Sequence, residues 1–298
     1  MTGGTGFVGR ALLEEAFHQG REVHALARRP QDAQEGVRWV LGDLANPAAL
    51  RDMVEGVEAV IHVAGVVNAP DQRAFDKGNV AGTLAVIEAT IAAGVPRLIF
   101  VSSLSAREPG LSAYGRSKAK AEKLVKASGL DWTIVRPPAI YGPYDRELFE
   151  LFRAARWGVI PTPREGRASL IHVEDLARLL IALTPGGEGV THRTLEPDDG
   201  KIGGWEHYEL ARAIGHAVGR RPKVVRLSKR TMEWAAKADG LIRGARAKLT
   251  LDRVGYLTHP DWVVSHGGHI PPALWRPRIE TREGLRATAV WYREAGWL

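Results

Sequence analysis

The chain has no cysteine among its 298 residues and only three methionines. The first absence excludes disulfides, thiolate nucleophiles and cysteine metal sites, while saying little about compartment. Long apolar runs are also missing. VIHVAGVV and LARLLIAL fall far short of the roughly 20 residues that a spanning helix needs. Residues 1–20 lack a basic start, an apolar stretch and a small-residue cleavage site, so a cytoplasmic location is expected rather than export. No His, Asp and Glu share metal-ligand spacing, so no metal is expected. What is present is a composition 45% hydrophobic, enough to bury a full core and incompatible with a disordered chain.

Charge is unevenly spread. Of the 41 Lys and Arg, 18 lie in residues 201–298 against 9 Asp and Glu, so the last third carries the whole net positive charge. Six of the nine tryptophans lie there too: Trp205, Trp234, Trp262, Trp275, Trp291 and Trp297. Basic residues interleaved with tryptophan suit an anionic surface of phosphates or lipid headgroups. A solvated basic face over an aromatic-rich core fits equally well. No nucleic-acid partner is expected.

Short β-branched apolar runs, GREVHALAR, VRWVLGD, AVIHVAG, RLIFVSS and WTIVRPP, alternate with helix-length segments such as NVAGTLAVIEATIAAG. That alternation predicts βαβ units around a parallel sheet. Gly94, Pro96 and Gly129 end helices just before the next strand. Past Tyr141 the pattern loosens, and residues 186–204 form a loop-rich boundary. The expected organisation is a dinucleotide-binding domain over 1–165, with 166–185 returning to it, and a mainly substrate-binding domain over 186–298. A helix at HYELARAIGHAVG and a strand at KVVRL are expected beyond the boundary.

Glycines 3, 6 and 9 in MTGGTGFVG read as a turn that brings backbone N–H groups against the phosphates of a dinucleotide. The helix expected from Phe7 aims its positive end at the same place. Eighteen residues beyond Gly9, where an NAD-preferring site puts a carboxylate, stands Ala27, followed by Arg28 and Arg29. An arginine there pairs with a 2′-phosphate and favours NADP(H) over NAD(H). The alternative is a plain basic turn after a strand.

In YGRSK, Tyr114 and Lys118 stand four apart and share a helix face. A free phenol, with a pKa of about 10, is a poor acid or base at pH 7, and a neighbouring cation makes it a better one. The strand ending in VSSLSA brings hydroxyls able to hold a carbonyl oxygen. His62, in an apolar strand, reads as a packed and satisfied ring rather than a catalytic one, and His172 with Asp175 as a strand-to-helix cap.

Together these motifs resemble the extended short-chain dehydrogenase/reductase superfamily over nearly the whole chain. TGGTGFVG matches its phosphate loop, GDL (Gly42 to Leu44) its adenine turn and HVAG (His62 to Gly65) the strand end beside the cofactor. Asn79, YGRSK, RPPAIYGP (Arg136 to Pro143) and HVEDLA (His172 to Ala177) follow in the family's order. The resemblance implies a Rossmann-like, doubly wound parallel sheet with a smaller C-terminal α+β domain. It implies Tyr114 as acid/base, Lys118 on the nicotinamide ribose and a serine as third member, Ser103 favoured over Ser105. It further implies a cofactor site of Gly3, Thr5, Gly6, Phe7, Val8, Arg28, Arg29, Asp43, Leu44, Ala64, Gly65, Asn79, Ser102, Tyr114, Lys118 and Pro137. Helices beside Tyr114 pair many members into homodimers. In that family a central strand precedes the glycine loop, so the recorded start is expected to be late by roughly six to eight residues, with Met1 as that strand's last position.

The ending EGLRATAVWYREAGWL resembles that of nucleotide-sugar epimerases and dehydratases. VRWVLGDL, VSSLSA, SAYGRSKAKAE and the basic, tryptophan-bearing tail look more like the branch of the complex I nucleotide-binding accessory subunit. That branch also resembles a bacterial sphingolipid (ceramide) reductase. Retention of Tyr114 and Lys118 implies an enzyme that reduces a ketone on a hydrophobic, lipid-like substrate. A sugar-nucleotide enzyme and a non-catalytic NADP(H)-bound scaffold are the alternatives. In SKRTMEWAAKADGLIRGARAKL, Met232, Trp234, Ala238, Leu241, Ile242, Ala245 and Leu249 can share a broad face ringed by Lys229, Arg230, Lys237, Arg243, Arg246 and Lys248. A helix over Ser228 to Leu249 of that kind lies on an anionic bilayer at the inner face of the membrane, caps a greasy pocket, or packs inward as an ordinary domain helix.

Overall fold

A computed structural model describes residues 1–244, 247 and 249–298, with the main chain alone at 266. Its first half alternates strand and helix in the order α1 (Phe7–His18), β1 (Val23–Ala27), β2 (Val37–Leu41), α2 (Pro47–Val54) and β3 (Ala59–His62). There follow α3 (Gln72–Phe75), a π-helical turn (Asp76–Ala81), α4 (Gly82–Ala92), β4 (Arg97–Val101), α5 (Ala113–Lys126) and β5 (Asp131–Val135). The second half runs β6 (Ala139–Tyr141), α6 (Phe149–Arg156), β7 (Val159–Pro163), β8 (Arg167–Ala168), β9 (Leu170–His172), α7 (Val173–Ala182) and β10 (Arg193–Leu195). It closes with β11 (Trp205–Glu206), α8 (His207–Ala217), β12 (Lys223–Leu227), α9 (Lys229–Arg243), α10 (Leu251–Leu257), β13 (Asp261–Trp262) and α11 (Thr281–Glu294).

Two compact units result, and neither is continuous in sequence. The first comprises Met1–Pro137, Val173–Pro197 and Ser265–Arg276. It holds a parallel sheet in the order β10-β5-β4-β3, and a parallel pair β1-β2. Met1 and Thr2 lie between these two pieces: the Thr2 N–H donates to the Ile61 carbonyl at 3.1 Å, and the Leu26 N–H to the Met1 carbonyl at 3.0 Å. The result is the doubly wound Rossmann arrangement. β4 is buried throughout because strands flank it on both sides. Leu26, Val40, Val60, Leu98, Phe100 and Ile134 from the strands pack with Leu50, Val86 and Val125 from α2, α4 and α5. Helices α1 and α7 pack on each other.

The second unit comprises Pro138–His172, Asp198–Val264 and Pro277–Leu298. Its small sheets pair β6 with β9, β7 with β12, and β8 with β11 and β13, around a core of Tyr141, Phe152, Ile160, Ile214, Leu285 and Tyr292. The division thus differs from a cut near residue 186. Residues 138–172 join the second unit because β6 and β9 pair with each other there. Residues 186–197 join the first because β10 extends its sheet beside β5.

The expected helix over Ser228 to Leu249 is shorter than its sequence pattern. It is capped at Ser228, whose hydroxyl accepts from the Thr231 N–H, and it ends at Arg243, where Gly244 takes φ +55°. Met232 and Ala236 are buried against Val254 of α10, with Leu227, Leu249 and Leu257 around them. Trp234, Leu241 and Ile242 are exposed instead. Two residues of helix turn through about 200°, so Met232 and Trp234 cannot share a face. Ala245, Arg246 and Lys248 lie outside the described residues.

Candidate active site

The glycine loop is built for close approach. A Cβ on Gly9 would sit 2.0 Å from the Gly3 carbonyl oxygen, and one on Gly3, at φ +78°, would meet the Ala64 nitrogen at 2.8 Å. Glycine at these positions lets α1 press onto the loop and the loop onto the end of β3. Gly6 is the N-cap of α1, whose first turn has neither a side-chain cap nor an acidic residue. Thr5 and Gly6 are exposed, and Phe7 and Val8 half-buried. An uncapped helix start on a glycine loop leaves backbone N–H groups able to hold a phosphate.

β1 ends at Ala27, and the next two residues, Arg28 and Arg29, are exposed. With Pro30, Leu41, Gly42, Asp43 and Asn46 they line a cleft of about 310 Å³. Asp43 spends one carboxylate oxygen on the Ala45 N–H at 2.9 Å. Leu44, half-buried, rests against Gly82 of α4. Three of the residues expected around the adenosine half, Arg28, Arg29 and Asp43, therefore share one opening.

At the end of β3 the His62 ring is fully engaged. Its Nε2 lies 3.1 Å from the Thr83 hydroxyl, which itself donates to the Asn79 carbonyl at 2.6 Å, so Nε2 carries the hydrogen. Its Nδ1 then accepts from Thr2 Oγ1 at 2.7 Å, and that oxygen accepts from the Ala64 N–H at 3.1 Å. Burial, and next the charge of Lys118, push the imidazole down to about 3, so it is neutral at physiological pH. Asn79, on the π-helical turn and buried, takes the Val66 N–H on Oδ1 at 2.6 Å and returns Nδ2 to the Val66 carbonyl at 2.9 Å. The same Nδ2 donates to Ser117 Oγ at 2.8 Å.

Tyr114 and Lys118 stand in the first two turns of α5, which Ser112 caps by accepting from the Gly115 N–H at 2.9 Å. A Cβ on Gly115 would lie 2.6 Å from the Ser105 carbonyl oxygen. Glycine there brings the start of α5 against the 3-10 turn Leu104–Arg107, which Ser103 caps. Ser103 Oγ accepts from the Ser105 N–H at 3.2 Å and from the Ser105 hydroxyl at 2.9 Å. Ser105 is buried and Ser103 half-buried. The Pro137 carbonyl fixes the turn by accepting the Leu104 N–H at 3.0 Å. Tyr114 is half-buried, its ring centroid 6.0 Å from that of Phe75.

Lys118 is only 3% exposed. Its Nζ donates to the Val101 carbonyl at 2.8 Å and lies 4.4 Å from the centre of the Phe100 ring. Its two other hydrogens have no acceptor among the described residues. A Cβ on Gly65 would be 3.7 Å from Nζ and 3.3 Å from Asn79 Oδ1, which puts the end of HVAG beside both side chains. Burial pushes the ammonium down to about 8, and Glu122 opposes that shift. A half-committed buried ammonium fits the hydroxyls of a nicotinamide ribose, as the uncapped start of α1 fits a pyrophosphate.

Sequence reasoning missed a buried ion cluster behind this corner. Glu122, one turn past Lys118, accepts from Arg136 through Nε at 2.8 Å and Nη2 at 2.6 Å. Arg136 also reaches Glu196 at 3.4 Å. Burial works against the guanidinium, but the two carboxylates outweigh it and hold its pKa above the usual value. Ser102, expected at the cofactor, gives its hydroxyl hydrogen to Glu122 at 2.6 Å. The four-residue step from Lys118 to Glu122 and the arginine of RPP were the visible signals.

Comparison with known proteins places these features in context. Residues 3–183 match a family model described as NAD(P)H-binding. Over its whole length the chain is 38% identical to a ceramide reductase of Caulobacter vibrioides, covering 95% of that relative. A 2-alkyl-3-oxoalkanoate reductase of Stenotrophomonas maltophilia is 34% identical over 62% of this chain and 66% of its own. The fold is similar to that of MoeE5 in complex with UDP-glucose and NAD, with a TM-score of 0.72 and 24% identity over 99% of this chain and 98% of the other.

Proposed function

As a member of the extended short-chain dehydrogenase/reductase family, the chain is an NAD(P)-dependent oxidoreductase, and we propose that it reduces a ketone on a long-chain, ceramide-type substrate with NADPH. When bound, the cofactor supplies the hydride. Tyr114 gives its phenolic proton to the carbonyl oxygen. Lys118 holds the ribose hydroxyls with the two N–H groups not used by Val101, and its charge stabilises the developing phenolate. Ser103, already accepting twice from Ser105, donates its own hydrogen to the same carbonyl oxygen. Arg28 and Arg29 meet the 2′-phosphate in the cleft they share with Asp43.

The observation that supports this reading is the start of α5, where Gly115 packs on the turn that Ser103 caps and Lys118 is buried with one acceptor, the Val101 carbonyl, among the described residues. Full-length similarity to a ceramide reductase supports the substrate class. The test follows NADPH oxidation by the purified chain with a long-chain keto-amide and, in a separate assay with NAD+, follows conversion of UDP-glucose by product analysis. Turnover with the keto-amide that collapses in Tyr114→Phe, with NADPH binding retained, is expected. Turnover with UDP-glucose alone would move the assignment to sugar-nucleotide chemistry. Wild-type turnover in Tyr114→Phe would remove Tyr114 from the proton transfer, and NADPH binding with no turnover of either substrate would leave a nucleotide-bound scaffold.

A further inference from the structure

Packing accounts for five of the six tryptophans in the basic tail. Trp205, Trp262 and Trp275 are buried, Trp291 meets Tyr292 edge-on and Trp297 stacks on it. Trp234 is the exception, at 74% exposed. It lies on α9 with Leu241 at 89% and Ile242 at 82%. The inner face of that helix is already satisfied by Met232, Ala236 and α10, and these three side chains form an outer apolar patch that the described residues leave exposed. Trp234 and Leu241 are seven residues apart, two turns, and so stand one above the other.

Exposed cations border the patch. Lys229, Arg230, Lys237 and Arg243 are all exposed on the same helix, and the Lys237 ammonium lies 5.6 Å from the Trp234 ring centre. Two acidic residues share the helix with them. Asp239 is committed to Arg243 at 3.2 Å and to the Leu249 N–H at 2.9 Å, and Glu233 is half-buried. Apolar side chains set among cations, with tryptophan at the boundary, match the headgroup region of an anionic bilayer.

We propose that the outward face of α9 docks on an anionic lipid surface, with Trp234, Leu241 and Ile242 entering the headgroup boundary and Lys229, Arg230 and Lys237 meeting lipid phosphates. The inference stands on the exposed face of α9 and is independent of the substrate reading. A lipid-like substrate would gain from it, because the enzyme would work at the surface that holds the substrate.

The test is flotation of the full chain with vesicles rich in phosphatidylglycerol, against vesicles of phosphatidylcholine alone. The chain should float with the anionic vesicles. Binding should weaken at about 1 M salt, where the screening length falls to about 3 Å. It should drop about tenfold or more in Trp234→Ser/Leu241→Ser/Ile242→Ser. Brominated lipid should quench wild-type fluorescence and quench Trp234→Phe less. Unchanged turnover of a short, water-dispersed ketone and an unchanged melting temperature keep the triple variant a fair comparison. Absence of flotation by the wild type, or equal flotation by the triple variant, overturns the proposal. So does a dimer in sedimentation that the triple substitution splits into monomers, which would give the face to a second copy of the chain.

Discussion

Ser105 donates its hydroxyl hydrogen to Ser103 Oγ at 2.9 Å, with its N–H on the same oxygen at 3.2 Å. The buried serine thus holds the hydroxyl oxygen of the half-buried one, which the proposed reaction uses. Ser103→Ala is expected to lower kcat by about 10²-fold or more with little change in the KM for NADPH. Ser105→Ala, which leaves Ser103 in place with one donor fewer, is expected to cost about tenfold or less. Equal losses in the two variants would make the division of labour wrong.

The alkaline limb of the pH profile should belong to Lys118. Its ammonium, held at about 8 by burial, carries charge below that pH and loses it as the pH rises through it. kcat/KM for reduction is therefore expected to fall above about pH 8. Glu122 supports the charged form, so Glu122→Gln should move the midpoint lower. A midpoint unmoved by that substitution would separate Glu122 from the site.

Arg28 and Arg29 should set the choice of nucleotide. Replacing both by alanine is expected to raise the KM for NADPH about 10- to 100-fold and to leave that for NADH within a few-fold. A parallel rise for both cofactors would mean that the cleft recognises adenosine and not the 2′-phosphate.

Stability should decline on the acid side because of His62. Its folded-state value of about 3 lies below the ordinary 6.5, so the unfolded chain takes up a proton first. The contribution is whole above about pH 6.5 and is lost as the pH falls toward about 3, with a limiting slope of about 1.4 kcal/mol per pH unit. Urea unfolding at a series of pH values measures it, and His62→Gln should flatten the slope in that window.

Gly115 holds the start of α5 against the serine turn. Gly115→Ala sets a methyl 2.6 Å from the Ser105 carbonyl oxygen, which is expected to cost about 1–3 kcal/mol in urea unfolding and to lower kcat. A variant with unchanged stability and rate would mean that the turn yields freely.

Much of this was legible because it is local. Alternating β-branched runs mark β1 to β5, the glycine spacing marks the phosphate loop, and four-residue spacing marks Tyr114 and Lys118. What escaped depends on partners distant in sequence. Ser102 reads as a cofactor contact until Glu122, twenty residues on, takes its hydrogen. Arg97 reads as the edge of a strand, yet is buried, bonding to Asp131 at 2.9 Å and through Nη2 to the Leu183 carbonyl at 2.7 Å. Residues 138–172 join the second unit through a β6–β9 pairing that no periodicity announces. The two sides of α9 were blurred for the same reason, since Met232 turns inward only because α10 supplies a place for it.

The Asn79 amide meets both polar groups of Val66, receiving an N–H and giving one back. That is the exchange two peptide units make across a ladder, here performed by one side chain. The segment after β3 is thereby tethered at Val66 as though a further strand ran beside it. At Val66 the tether is specific to asparagine: aspartate would keep the acceptor and lose the donor, and glutamine would overreach by a methylene. The loop after β3 thus owes part of its shape to an amide thirteen residues further along the chain.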